Sequence, residues 1–308
     1  MRPGTVLRDD ATPLYRPYEN VIETWDQLHR EIDQFGDIFH SEQFVWRGQS
    51  NAVWGLWSSL YRELARQLGK VPTEEDLVES ERQLLTLART EWRLDGVPAL
   101  SLFGQMQHVG VPTRLIDATT NPLIAAWFAV SDRPGADGRL FAFTAKSTLQ
   151  LNSRWNGNTP RWHRRLDDPT LADWGLGGGS WIWQPPALHA RIPAQSAVFL
   201  LDGVPTEAGH RFPRLQPGSS STYTAAQTRE FASIPIRFWQ IRLRGEAPSK
   251  GTVFTYRITA AAKHSIRHQL EKRFGYSFAT IYPDIEGLAQ YVRNTPESLI
   301  RGAIDTRR

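Results

Sequence analysis

The sequence predicts an α+β fold, and three observations predict it. Short runs with strand character at 43–46, 139–145, 197–201, 236–243 and 252–258 are scattered along the chain. Between them lie segments with helical spacing of apolar residues and readable caps. The length, 308 residues with 40% hydrophobic and 22% charged, allows one large domain or two modest ones with ample core. The strand-like runs after Ile234 are expected to join the same sheets as the earlier ones.

In chain order, residues 1–20 carry Pro, Asp and Arg and read as an extended lead-in. Helical spacing follows from Ile22 to Phe35, with Trp25, Leu28 and Ile32 on one face. The run 43–46 reads as a strand whose end delivers Arg47, Gly48 and Gln49 into a cleft, Gly48 allowing close backbone approach. Ser58 opens a helix. Thr73 and Asp76 frame a capping box for a helix running to about Trp92, with Leu77, Leu84, Leu85, Ala88 and Trp92 as its buried face. Pro98 starts a further helix, with Leu100, Phe103 and Met106 inward, ending near Gly110.

The densest stretch is Gln107-His108-Val109-Gly110-Val111-Pro112-Thr113-Arg114-Leu115-Ile116-Asp117. It gathers a His, an Arg, an Asp and several hydrogen-bonding side chains just before an apolar helix. Residues 113–116 read as extended and 117–122 as a turn, with Pro122 at the first helical position and Asn121 as a candidate N-cap. Asp117 reads equally as an Asx-turn residue, and Arg114 and Asp117 equally as a structural ion pair. His108 is either a core histidine bonded to a carbonyl or a proton shuttle.

Residues 147–190 read as irregular, with several Trp and a Gly-rich run at 175–180 that lacks the Lys-Ser/Thr of a phosphate loop. Residues 203–230 read as a long polar loop. A helix from Ala260 to Phe274 is capped by Gly275. A strand is expected over 277–282, then a helix capped at Pro283-Asp284-Ile285-Glu286-Gly287.

Composition excludes several classes. No run of eighteen apolar residues exists, so no membrane association is expected. The first residues have no apolar h-region, so no secretory signal is expected and a cytoplasmic address is the default. Zero cysteines exclude disulfides, Cys-ligated zinc and thiol catalysis. His163, His189 and His210 are scattered and suggest no metal site. The net charge is +4, carried by thirty-one arginines and five lysines. That balance fits GC-rich codon usage, or planar recognition of phosphates with twelve Trp available for stacking on bases.

Trp46-Arg47-Gly48-Gln49, Ser59-Leu60-Tyr61-Arg62 and the Gln107–Thr119 stretch together resemble the FRG-domain family, named for an aromatic-Arg-Gly motif. Arg191-Ile192-x-x-Gln195 and the Pro283–Gly287 stretch extend the resemblance. It divides the chain into a lead-in and helix (1–40), an FRG domain (41–295) and a tail (296–308). A looser resemblance is to ADP-ribosyltransferases. There, a strand ending in aromatic-Arg-Gly holds the NAD phosphates and ribose. Arg47-Gly48 resembles that element, Asp117-x-Thr119-Thr120 before Ala125-x-x-Phe128 the Ser-Thr-Ser strand, and Gln195-Ser196-Ala197 the Gln/Glu-x-Glu turn.

This resemblance implies split mixed and antiparallel sheets with flanking helices, and NAD as a substrate. It implies a nucleotide-binding set of Arg47, Gly48, Gln49, Gln107, Thr113, Arg114, Thr119 and Thr120. Ala197 stands where transferases place Glu, so His108, Asp117 and Gln195 are the candidate catalytic groups, with Glu207 a further carboxylate to consider. The expected activity is ADP-ribose transfer to a nucleic acid, a DNA base above all, or to a protein. A toxin or phage-defence role with an antitoxin or hydrolase partner would fit. Two other readings are a non-catalytic nucleotide or nucleic-acid module, and a nucleotide or phosphodiester hydrolase using His108 and Asp117.

Overall fold

The computed structural model describes residues 6–39, 44–144, 181–187, 189–205, 223–239 and 252–299. Eight strands form one mixed sheet: β1 (Glu19–Ile22), β2 (Phe44–Gln49), β3 (Ile116–Thr119), β4 (Gly138–Thr144), β5 (Trp181–Trp183), β6 (Ala197–Leu201), β7 (Arg237–Phe238) and β8 (Thr252–Ile258). Their order is β1-β8-β4-β2-β3-β6-β5. β7 lies parallel to β8 beside Thr252 and Val253, and β1 parallel to it along Thr255–Ile258. The remaining pairs are antiparallel. The sheet is continuous, yet β2 and β3 meet at a single pair, Trp46 with Thr119.

Helices cover both faces. Trp46, Leu140, Ala142, Phe254 and Tyr256 pack with α2 (Trp25–Ile38), α6 (Pro122–Val130) and α9 (Ala260–Phe274). The alternate residues Val45, Phe141, Phe143 and Val253 point the other way, onto Leu14, Tyr15, Ile234 and Ile236. A strand buried on both faces needs apolar residues throughout, and all of β4 is buried. At the β5 edge, Trp183, Phe199 and Leu201 pack on α4 (Glu74–Thr90) and α5 (Ala99–His108). Trp57, Leu60 and Tyr61, around α3 (Ser59–Leu68), form a further cluster with Leu77 and Val204.

The local signals hold where they act through neighbours. Ser58 caps α3, and Thr73 and Asp76 form the capping box of α4. Asn121 caps α6 through Leu123 N and Ile124 N. Gly275 ends α9 at φ +70°, a left-handed position that favours Gly.

Several expectations change. The first twenty residues are not all extended, since Thr12–Tyr15 form a helical turn, α1. Within the segment set apart as a lead-in, β1 pairs with β8, and Glu19 receives Arg139 Nη2 at 2.8 Å and Arg257 Nε at 2.9 Å. Trp92 is 65% exposed because α4 stops at Thr90. Asp117 and Thr119 are not in a turn; backbone pairing with β6 makes Ile116–Thr119 a strand. The expected strand over 277–282 is a short helix, α10 (Phe278–Ile281), capped reciprocally by Ser277 and Thr280. The irregular reading of 147–190 fails at β5, and the loop reading of 203–230 fails at α8 (Ala225–Arg229). The Gly-rich run at 175–180, Glu207, His163, His210 and positions 240–243 lie outside the described residues. Among the described residues, no helix is long and apolar enough to cross a membrane.

Candidate functional site

A cleft of about 340 Å³ lies beside Trp46 and Thr119, the single pair that joins β2 to β3. Its walls come from β2, β3 and β6, from the end of α5, and from α7 (Arg191–Ala194); Tyr282 and Gln290 of α11 (Ile285–Asn294) and its lead-in close one side. Seven of the residues assigned to the site line the cleft: Arg47, Gly48, Gln107, His108, Asp117, Thr119 and Gln195.

Arg47 lies within β2 rather than at its end. Its Nη1 donates to the Asp117 carbonyl at 2.6 Å and lies 3.9 Å from the Asp117 carboxylate. Burial lowers its pKa, and the Asp117 carboxylate offsets that only in part. The guanidinium nonetheless remains cationic. Its Nε is buried without a partner among the described residues. Such a group favours a ligand acceptor.

Gln107 holds the carboxylate in place. Its Oε1 accepts from Thr113 Oγ1 at 2.7 Å and lies 3.2 Å from Ser59 Oγ. Its Nε2 faces Asp117, 3.2 Å from both carboxylate oxygens, and because a carboxylate only accepts, this contact fixes which end of the amide is the nitrogen. The Asp117 side chain is 62% exposed. Among the described residues lining the cleft it is the one carboxylate. His108 stacks on His189 with ring centroids 5.3 Å apart and also meets Phe199. Burial depresses its pKa below the ordinary imidazole value, so it is neutral near pH 7. Its Nε2 has no partner among the described residues. Gln195 donates from Nε2 to the Ile281 carbonyl at 3.0 Å. The next residue, Ser196, sits at φ +45°, a strained turn leading into β6.

Five assigned ligand-binding residues have other roles. Arg114 is buried away from the cleft. Its Nε and Nη2 form a fork on Glu81 at 2.5 and 2.8 Å, and its Nη1 reaches Glu74 at 2.8 Å. It does not line the cleft, and its carboxylate partners are Glu81 and Glu74 rather than Asp117. Thr113 is buried behind Gln107 and supports it. Thr120 is exposed outside the cleft, where its N–H donates to the Ser196 carbonyl. Gln49 turns away, donating to the Gly55 carbonyl at 3.2 Å. Gly48 does line the cleft, but a Cβ there would lie 1.9 Å from the Ala125 carbonyl oxygen. What needs Gly at this point is the close approach of α6 to β2.

Residue-by-residue reading missed Arg191 as a cleft residue, along with Phe128 and Tyr282. Arg191 forks onto Asp284 at 2.6 and 2.7 Å and donates to the His108 carbonyl at 3.2 Å. Its guanidinium also covers the Tyr282 ring, 5.1 Å from the centroid. Asp284 caps α11 through Gly287 N at 2.7 Å, as expected, and in addition anchors Arg191. The two outlying motif pieces are thus one ion pair. The only signal for it in the sequence was their joint presence in the resemblance. Glu286 adds a longer contact to Arg191 at 3.4 Å. Among the described residues, no group of three or more His, Asp or Glu could hold a metal ion.

Arg191 holds the Asp284 carboxyl at about 2, below its ordinary 3.8. A depressed carboxylate pKa stabilises the fold above the unfolded value, and this contribution is lost as pH falls through the folded value. Asp284→Asn keeps a capping side chain and removes only the charge. Its deficit in melting temperature against the parent is expected to be full at neutral pH and to shrink between about pH 4 and pH 2. A deficit independent of pH would assign Asp284 to capping alone.

No curated protein and no solved structure matches the chain. The model of the FRG domain matches residues 42–137, the segment that carries Arg47, Gln107, His108, Asp117 and Thr119.

Proposed function

We propose that the cleft binds NAD and transfers its ADP-ribosyl group to an acceptor. The observation that supports this best is the convergence of Arg47, Gln107, His108, Thr119 and Gln195 around a single exposed carboxylate, Asp117. In this reading Arg47 faces the pyrophosphate, where a buried guanidinium suits a dianionic group. Thr119 and Gln195 supply polar contacts to ribose and amide.

The bond from the ribose C1′ to the nicotinamide nitrogen breaks, and the electron pair leaves with nicotinamide. A positive charge develops on the ribose, and Asp117 stabilises it from β3. This carboxylate would stand in for the Glu that Ala197 replaces: Asp117 pairs with Phe199, two residues along β6 from Ala197, and residues two apart on a strand share a face of the sheet. The acceptor's lone pair then bonds to C1′, and its proton passes to a base. His108, neutral through burial, is suited to take it. Such an enzyme would serve as a toxin or defence effector, with an antitoxin or an ADP-ribose-removing hydrolase as its counterpart.

The test is incubation with labelled NAD and DNA, RNA or protein, with nicotinamide release followed in parallel. Transfer of label is expected. Asp117→Asn is expected to lower kcat about 10²–10³-fold, the usual loss of one transition-state electrostatic contact, with the fold intact. Absence of both NAD consumption and label transfer would sink the proposal. NAD binding that Arg47→Ala abolishes, without any turnover, would leave a binding module. Cleavage of nucleotides without NAD, lost in His108→Ala, would leave a hydrolase.

A further inference from the structure

A second cavity of about 680 Å³ adjoins the cleft and shares Arg47, Gly48, Phe128, Tyr282 and Gln290 with it. We propose that this cavity is the acceptor subsite and that it takes one unstacked nucleotide of a single-stranded nucleic acid. The proposal rests on the transferase reading, because an acceptor must reach the same carbon that the cleft presents.

The lining chemistry favours a nucleotide. Trp54, Trp57, Trp127 and Tyr291 line the cavity with Arg62 and Arg267, and Asp132 is the one carboxylate among the described lining residues. Trp54 and Tyr291, which keep part of their surface open, offer faces on which a base can stack, and arginines track phosphates; Trp57 and Trp127 are buried and contribute only to the wall. Arg62 is exposed, and its Nη1 donates to the Trp57 backbone carbonyl at 3.1 Å, which holds the guanidinium at the cavity wall. Arg267 donates to Glu271 at 2.7 Å and to the Ser131 carbonyl at 3.2 Å, which holds it at the wall. Trp57 Nε1, Trp127 Nε1 and Gln49 Oε1 are buried without partners among the described residues. A base edge carries both the acceptors and the donors that complement such a set, whereas a phosphate offers acceptors alone. A stacked base pair cannot enter a recess of this size, so a duplex must first release the base.

The test is fluorescence anisotropy of the full chain with end-labelled single strands of about 12 nucleotides, DNA and RNA, in the absence of NAD. Saturable binding that is at least tenfold weaker for the matching duplex is expected. Trp54→Ala is expected to weaken binding about tenfold, with Trp54→Phe restoring most of it. Arg62→Glu is expected to weaken binding by a similar factor and to flatten its dependence on salt. Melting curves verify that each variant folds; Arg62, being exposed, is the safer of the two.

Failure to bind any single strand would overturn the subsite, as would binding that neither substitution changes. Competitive displacement of the strand by NAD would reassign the cavity to the donor. Label transfer to proteins but never to oligonucleotides would also overturn it. The two proposals fail separately. Strand binding without NAD consumption removes the transferase and leaves a single-strand-binding cavity with no acceptor role, while NAD consumption without strand binding keeps the transferase and removes the subsite.

Discussion

Arg114→Met is expected to destabilise the protein by roughly 3–5 kcal/mol, the usual cost of breaking a buried ion pair from one side. The side chains of Arg114 and Glu81 are 3% and 1% exposed, so removing the cation leaves a carboxylate with no access to water. Arg114 also reaches Glu74, which in turn accepts from Val204 N at 2.8 Å. One guanidinium thereby joins the segment before β3 to α4 and to the chain after β6. A fall in melting temperature on the order of 10 °C is the readout. Replacing the pair together, as Arg114→Met with Glu81→Leu, is expected to recover part of the loss, because an apolar pair carries no desolvation penalty. If Arg114→Met melts within a degree or two of the parent, the clamp does not matter. If the variant instead stays folded and loses NAD binding, Arg114 belongs to the ligand after all.

Gly48→Ala is the second large effect expected. The new methyl would fall 1.9 Å from the Ala125 carbonyl oxygen and 2.8 Å from the Ala129 nitrogen. Both are backbone atoms of a buried helix, so no flexible side chain can yield. Overpacking of this kind costs roughly 1–3 kcal/mol and occasionally more, and a backbone collision belongs at the upper end. The shift needed would also move α6 from β2, so the cleft is expected to lose ligand along with stability. Gly36→Ala provides the contrast. It lies within α2 with nothing within 4 Å of an added Cβ. The substitution is expected to stabilise by roughly 0.5–1 kcal/mol through helix propensity. A melting curve of Gly48→Ala that matches or exceeds the parent's would show that α6 can give way.

Parts of this protein could be read without coordinates because their causes are local. A cap joins residues two or three apart, so Ser58, Thr73 with Asp76, Asn121 and Asp284 declared their helices directly. The Gly275 cap of α9 and the apolar runs of β4, β6 and β8 also lie within single segments. Segments of four residues are different, because they hold too little pattern to choose a state. Ile116–Thr119 became a strand because β6 lies beside it, and Phe278–Ile281 a helix because Ser277 and Thr280 cap it where no strand pairs. β1 owes its state to β8, which lies more than two hundred residues away along the chain.

The candidate site divides in the same way. Sequence alone determined the chemical inventory: a guanidinium after an aromatic, a Gln-His pair, and an aspartate followed by threonines. It also determined that these residues cluster on short elements flanked by apolar helices. Only the tertiary structure decided which of them share a space. Arg114 could be read as a ligand contact or as half of a structural pair with Asp117, until its partner proved to be Glu81, thirty-three positions upstream and buried. Gly48 looked like a place for a ligand to approach, until α6 filled that side. Arg191 and Asp284, ninety-three positions apart, proved to be one ion pair holding the wall behind His108. The physical reason is that side-chain chemistry belongs to each residue, whereas burial, pairing and access depend on neighbours that the folded chain brings from far along its length.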